Sequence, residues 1–144
     1  MIPPFNKRGV LPPGKPYKAS WNEVVSRFGT NSHRQVLLRG LKAALTNLKL
    51  AGATQVYLNG SFTTSRPDPA DWDACWELKG LNLEKLDRIL IDADFFPDRM
   101  KKKYLGDLFL HAPRLPGGNF LSLFQRDRDG FKKGIIVIDL ETLP

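Results

Sequence analysis

The sequence predicts an α+β domain in which helices pack on a small mixed β-sheet. Three observations carry this. Apolar residues step by three or four positions between Leu37 and Leu48; short apolar runs occur at 54–60, 71–77, 107–112 and 134–140; and their irregular order matches no regular βαβ array. At 144 residues the chain reads as one domain, 1–144, long enough to bury a hydrophobic core.

Taking the elements in order, residues 1–18, "MIPPFNKRGVLPPGKPYK", are too rich in Pro and Gly for a long helix or a central strand, and are expected to dock as an arm through Ile2, Phe5, Val10 and Leu11. Ser20 followed by Glu23 is a capping box that opens a short helix. A second helix is expected from Asn31 or Ser32 to a stop at Gly52, with Leu37, Leu41, Ala44, Leu45 and Leu48 on its buried face. "TQVYLNG" reads as a buried strand ending in a glycine turn. "NLEKLDRIL" suggests a short helix with Leu83, Leu86, Ile89 and Leu90 inward, and "PDRMKKKY" another with Pro97 in its first turn. "DLFLHA" is a strand candidate. "NFLSLFQ" and "GIIVIDL", joined across Asp129-Gly130, predict a C-terminal β-hairpin over 118–140.

Composition bounds the function classes. A single cysteine, Cys75, excludes an internal disulfide and a cysteine-rich zinc site. No stretch is long enough to span a bilayer, the first residues do not form a signal-peptide pattern, and a cytoplasmic protein with no membrane partner is expected. The net charge of +7 favours anionic partners, and its densest cluster is Arg99 with Lys101, Lys102 and Lys103. No nucleic-acid-binding module is recognisable, and Trp21, Trp72 and Trp76 read as core residues. His33 and His111 have no partner pattern, and Asp127 and Asp129 read as turn residues.

The stretch "GSFTTSRPDPADWDACW" (residues 60–76) carries the chemistry. A strand over 71–77 turns Asp71, Asp73 and Cys75 to one face and Trp72, Ala74 and Trp76 to the other. The two aspartate Cα atoms then lie roughly 6.6 Å apart, close enough for their carboxylates to converge on one cation or share two. By itself the pair reads more readily as the wet face of an edge strand. The context adds to it: a strand ends in Gly60-Ser61, where a phosphate can approach the backbone, and nine residues separate Ser61 from Asp71.

Strand, Gly-Ser, spacer and Asp-x-Asp together resemble the signature of the polymerase-beta-like nucleotidyltransferase superfamily, whose minimal bacterial members include antitoxin-type domains. The match is close over residues 55–76. More broadly, "PPF", "GVLPPG", "RFGTN", "GSFTTS" and "FQRDRDGFKKGIIVIDL" resemble a poorly characterised family of bacterial and phage proteins sharing that core. The resemblance implies a Mg²⁺-dependent enzyme (two ions expected, Mn²⁺ an alternative) that transfers a nucleoside monophosphate from an NTP to a hydroxyl of a protein or RNA acceptor. Asp71 and Asp73 would hold the metals, and a third carboxylate on a later strand would help activate the acceptor. Asp107 is the choice for that third acid, with Asp92 and Asp94 as competitors. Gly60 and Ser61 would hold the terminal phosphates, and Arg66 or a lysine of 101–103, such as Lys102, would face the leaving pyrophosphate. One departure stands out: many minimal members carry a glycine shortly after Gly-Ser, where this chain has Thr64, Ser65 and Arg66. The alternative implied is a catalytically weak or inactive antitoxin or adaptor that masks a partner such as a cognate toxin.

Overall fold

In the computed structural model, which describes residues 1–77, 80–92, 96–111, 119–127 and 129–144, the capping box forms as the sequence requires. Ser20 Oγ accepts the Glu23 amide at 3.2 Å and opens α1 (Trp21–Phe28). Asn31 Oδ1 does the same for Arg34 at 2.8 Å and opens α2 (Ser32–Leu50). The five stepped residues Leu37, Leu41, Ala44, Leu45 and Leu48 are all buried, and each such leucine contributes about 1.5–3 kcal/mol. α2 is therefore the long wall against which the sheet is built.

Among the described residues the sheet has five strands: β1 (Tyr17–Ala19), β2 (Gln55–Asn59), β3 (Trp72–Trp76), β4 (Gly106–Leu110) and β5 (Ile136–Asp139), in the order β1-β5-β2-β3-β4. β2 runs antiparallel to both β3 and β5, whereas β1 is parallel to β5 and β4 is parallel to β3. Val56, Leu58, Trp72, Ala74, Ile136 and Ile138 share one core with the leucines of α2. On the other face Cys75 and Ile135 are covered by Phe124, with Tyr57, Phe109 and Phe120 beside them. The fold is α+β, a mixed sheet packed by helices.

Two backbone details set the position of β4. A Cβ at Gly40 would lie 2.1 Å from the Tyr104 carbonyl, so only glycine lets α2 approach the end of α4 (Pro97–Tyr104) this closely. That same carbonyl accepts the Trp72 indole N–H at 2.8 Å, which ties α4 to β3. Leu105 then adopts a left-handed conformation, φ 65°, closes α4 by donating its amide to the Lys101 carbonyl, and sends the chain directly into β4.

Three expectations are corrected. "NLEKLDRIL" is not one helix. Asn82 and Asp87 each cap their own turn, splitting the segment into a 3₁₀ turn (Leu83–Lys85) and α3 (Arg88–Ile91), and Leu83 is exposed while Leu86 and Leu90 are buried. "FLSLF" forms α5 (Phe120–Phe124), capped by Asn119 Oδ1 on the Ser122 amide, and is not a strand. The hairpin is consequently reduced to a short return in which Arg126 pairs antiparallel with Lys132 around the Asp127–Gly130 turn, while β5 pairs with β1 and β2. The arm docks through buried Leu11 with Ile2 and Phe5 as expected, but it also supplies β1 as an edge strand. Residues 112–118, which include the start of the expected hairpin, lie outside the described residues.

Candidate functional site

The sheet register builds the site. Asp73 lies in β3 with Asp107 as its direct partner on parallel β4 and Asn59 as its partner on antiparallel β2. Side chains of directly paired residues leave the same face, so Asp107, Asp73 and Asn59 form a row across three strands. Asp71 immediately precedes β3 on that side. Trp72, Ala74 and Trp76 are buried on the opposite face, which fixes the strand as rigid backing. Of the competitors for the third acid, Asp92 caps α3 and pairs with Arg88 at 3.8 Å, and Asp94 lies outside the described residues.

The row is electrostatically loaded. Burial first, then the neighbouring charges of Asp71 and Asp107, raise the Asp73 carboxyl to about 7 against the opposing charges of Lys101 and Lys133. Burial also raises Asp107, opposed by its contact with Lys101. Lys101 Nζ sits 3.6 Å from Asp71 Oδ2 and 3.3 Å from Asp107 Oδ2, and the contact with Asp107 leads the causes that raise its own pKa. Lys102, the sequence-based choice, carries no ion pair among the described residues. A helix turns about 100° per residue, so only Lys101 of the three consecutive lysines faces the carboxylates, while Lys103 faces Asp87. Arg66 is exposed and pairs with Asp68 at 3.5 Å, and among the described residues it has no ion pair with Asp71, Asp73 or Asp107.

Gly60 closes the row at the end of β2. Its φ of +84° with ψ −168° is open to glycine alone, and a Cβ there would stand 2.3 Å from Asp73 Oδ2. The Ser61–Thr63 turn that follows leaves the Ser61 hydroxyl and the Ser61 and Phe62 amides without a protein acceptor among the described residues, while Thr63 and Thr64 bond back to Gly60 and Ser61. These groups are free to meet an anion. Gly60→Ala is expected to push the Asp73 carboxylate aside and cost roughly 1–3 kcal/mol of stability. Urea titration of the variant, with a crystal structure to locate Asp73, checks this; an unmoved carboxylate in a fully stable variant would refute it.

Several residues of the site are not apparent from sequence patterns. Arg34 is 2 % exposed and has no carboxylate partner among the described residues. Its guanidinium donates instead to the carbonyls of Phe28 (3.3 Å), Phe62 (2.7 Å), Thr64 (2.8 Å) and Arg66, and burial lowers its pKa. Asn31 donates to Pro67 O at 2.7 Å, and the His33 ring reaches Pro69 O at 2.5 Å, so the start of α2 holds the whole Gly60–Ala70 loop in place. The arm braces the same loop from outside, through the Ser65 amide to Gly9 O at 2.8 Å. Asn59 is 5 % exposed, and its Oδ1 is buried with no hydrogen-bond partner among the described residues. The signal for Asn59 was a polar residue closing an apolar strand just before Gly60. Cys75, on the Asp73 face, is fully buried, and burial, then Glu77, pushes its thiol up to about 12. It is an inert part of the backing.

A cation's fit can be tested on these features. Among the described residues no group of three or more His, Cys, Asp or Glu is gathered closely enough to hold a metal ion. The donor set is nevertheless the hard oxygen set that Mg²⁺ takes. One ammonium already bridges two of its carboxylates, the like charges around Asp73 are undercompensated, and the Asn59 carbonyl beside them is unsatisfied. The donors are of the type a divalent cation takes, and in this structure Lys101 supplies the positive charge beside Asp71 and Asp107.

Among the described residues no helix is long and apolar enough to cross a membrane. No curated protein and no solved structure matches the chain. The model of a family of unknown function (DUF6932) matches residues 3–139, nearly the whole length, and the chain belongs to that family.

Proposed function

We propose that this protein is a Mg²⁺-dependent nucleotidyltransferase that moves a nucleoside monophosphate from an NTP onto a hydroxyl of a protein or RNA acceptor. The observation that carries the reading is the pairing of Asp73 with Asp107 on adjacent parallel strands, with Asp71 alongside and the Gly60-Ser61 turn against Asp73. Bound at Asp71, Asp73 and Asp107, Mg²⁺ would neutralise the charge that develops on the transferring phosphoryl group. The amides and hydroxyl at Ser61 hold phosphate oxygens. Asp107 takes the proton of the attacking hydroxyl, whose oxygen bonds to the α-phosphorus as the bond to pyrophosphate breaks and pyrophosphate leaves with the electron pair. Lys101 places a positive charge beside that reaction.

Incubation with α-³²P-labelled NTPs, Mg²⁺ or Mn²⁺ and cell extract is expected to label an acceptor. The double variant Asp71→Asn/Asp73→Asn is expected to lose that labelling by at least 100-fold; undiminished labelling would sink the assignment. A second reading has its own support. Lys101 already neutralises Asp71 and Asp107, as it would in a protein that keeps the fold and acts as an antitoxin or adaptor by masking a partner. Co-purification of a protein partner that survives the same double variant, with no labelling, selects that reading.

A further inference from the structure

Beyond Gly60 the row of polar residues continues toward the N-terminal side of β5, past Gln125 and Arg126 ahead of the Asp127–Gly130 turn. A groove of about 460 Å³ opens there, lined by Gly14 of the arm, Ser122 and Gln125 at α5, and Arg126, Lys132 and Lys133. The segment carrying the three cations is held rigidly. Lys133 donates its amide to Gln125 O at 2.9 Å, Asp127 donates to Phe131 O at 2.9 Å, and Arg126 stands directly across from Lys132.

Two like charges facing each other across a ladder are destabilising unless something anionic lies between them. The neighbouring acids do not serve. Asp127 and Asp129 are turned to Arg8, whose Nη2 lies 2.7 Å and 3.7 Å from them, with Arg8 stacked on Phe131. Among the described residues Arg126, Lys132 and Lys133 have no ion-pair partner within 4.0 Å, and the Arg126 guanidinium is spent only on the Gly130 carbonyl. Lys133 is partly buried, and the acidic charges that act on it are Asp127 and Asp73. It therefore joins the groove to the carboxylate row.

The order across the sheet decides what the groove receives. Asp107 lies on β4, Asp73 on β3, the Gly60-Ser61 turn at the end of β2, and Lys133 two residues before Ile135 at the β5 flank. With the acceptor hydroxyl at Asp107 and the transferring phosphorus near Asp73, the rest of a phosphate chain runs past Ser61 and into this groove. Its volume suits a di- or triphosphate and is small for a polymer backbone. We propose that the groove of Arg126, Lys132 and Lys133 binds the pyrophosphate portion of a nucleoside triphosphate. This rests on the nucleotidyl-transfer reading and replaces Arg66 and Lys102 as the cations facing the leaving group.

The test is calorimetric titration of the full chain with inorganic tripolyphosphate, with and without Mg²⁺. Arg126 and Lys132 are exposed, so Arg126→Gln/Lys132→Gln leaves the fold intact. The expected result is tripolyphosphate binding that weakens with salt, falls at least tenfold in that double variant, and persists in Asp73→Asn without metal. Absence of binding at millimolar tripolyphosphate overturns the proposal, as does binding undiminished by the double variant. Binding of single-stranded RNA in place of tripolyphosphate, lost in the same variant, also overturns it and marks a nucleic-acid surface. Because no acceptor or turnover enters the measurement, its outcome is separate from that of the labelling experiment.

Discussion

In metal-free buffer at pH 8, Asp73→Asn is expected to melt roughly 5–10 °C above the wild type, and with Mg²⁺ supplied it is expected to lack the proposed nucleotidyl transfer. The wild-type protein buries this carboxylate among Asp71 and Asp107, which holds its pKa near 7 against about 3.9 in an unfolded chain. Between those two values the unfolded chain releases a proton that the folded protein keeps. Stability therefore falls as pH rises from about 4 to 7 and levels off above, a cost on the order of 4 kcal/mol. Asparagine removes the charge and the cost, so the two proteins should melt together at pH 4 and separate as pH rises. Scanning calorimetry in EDTA across that range gives the answer, and a variant no more stable than wild type at pH 8 contradicts the electrostatic account. Mn²⁺ should then raise the melting temperature of the wild type and not that of the variant, because a ligand of the folded state stabilises only the protein that binds it. Such an exchange of stability for function is common where charges are held together for chemistry.

Arg34→Met is expected to lose about 3–5 kcal/mol, the usual result of deleting one side of a buried charged network. The guanidinium satisfies carbonyls at the end of α1 and along the Gly60–Ala70 loop. Without it those carbonyls are buried and unpaired. Arg34→Lys should recover little, because one ammonium cannot reach carbonyls spread over Phe28, Phe62, Thr64 and Arg66 as the planar fork does. Urea titration measures the loss, and hydrogen exchange should show increased opening of residues 60–70 before the rest of the fold. A near-neutral Arg34→Met would mean that the loop is held by Asn31, His33 and the arm alone.

The contrast between these residues explains what the sequence discloses. Helix starts at Ser20 and Asn31 and the leucine face of α2 were legible because caps and 3.6-residue periodicity act locally. The aspartate alternation was legible because a strand has period two, and the burial of Trp72, Ala74 and Trp76 follows from it. "FLSLF" was not, since a five-residue apolar run fits strand or helix equally and the Asn119 cap decides it. Lys101 was indistinguishable from Lys102 until the phase of α4 relative to β4 was fixed by Leu105 and Gly40. Arg34 reads in sequence as one more solvated helix charge, and only the loop that returns over it makes it a buried anchor. β1 escaped for the same reason: its pairing partner lies more than a hundred residues away.

That last pairing has a consequence for how the chain is made. β5, the last of these strands in sequence order, is inserted between β1 and β2 and so lies inside the sheet, not at its edge. Until residues 136–139 emerge, residues 17–19 have no ladder to join, and the inner edge of β2 is bare. A nascent chain emerging N-terminal first can assemble α1, α2 and the β2–β3 pair early, but it exposes an unpaired strand edge throughout. Completion of the sheet then awaits a contact of long sequence separation, which is slow to close. A chain extended through β4 but not yet through β5 therefore presents the β2 edge unpaired, a surface open to association with other strands.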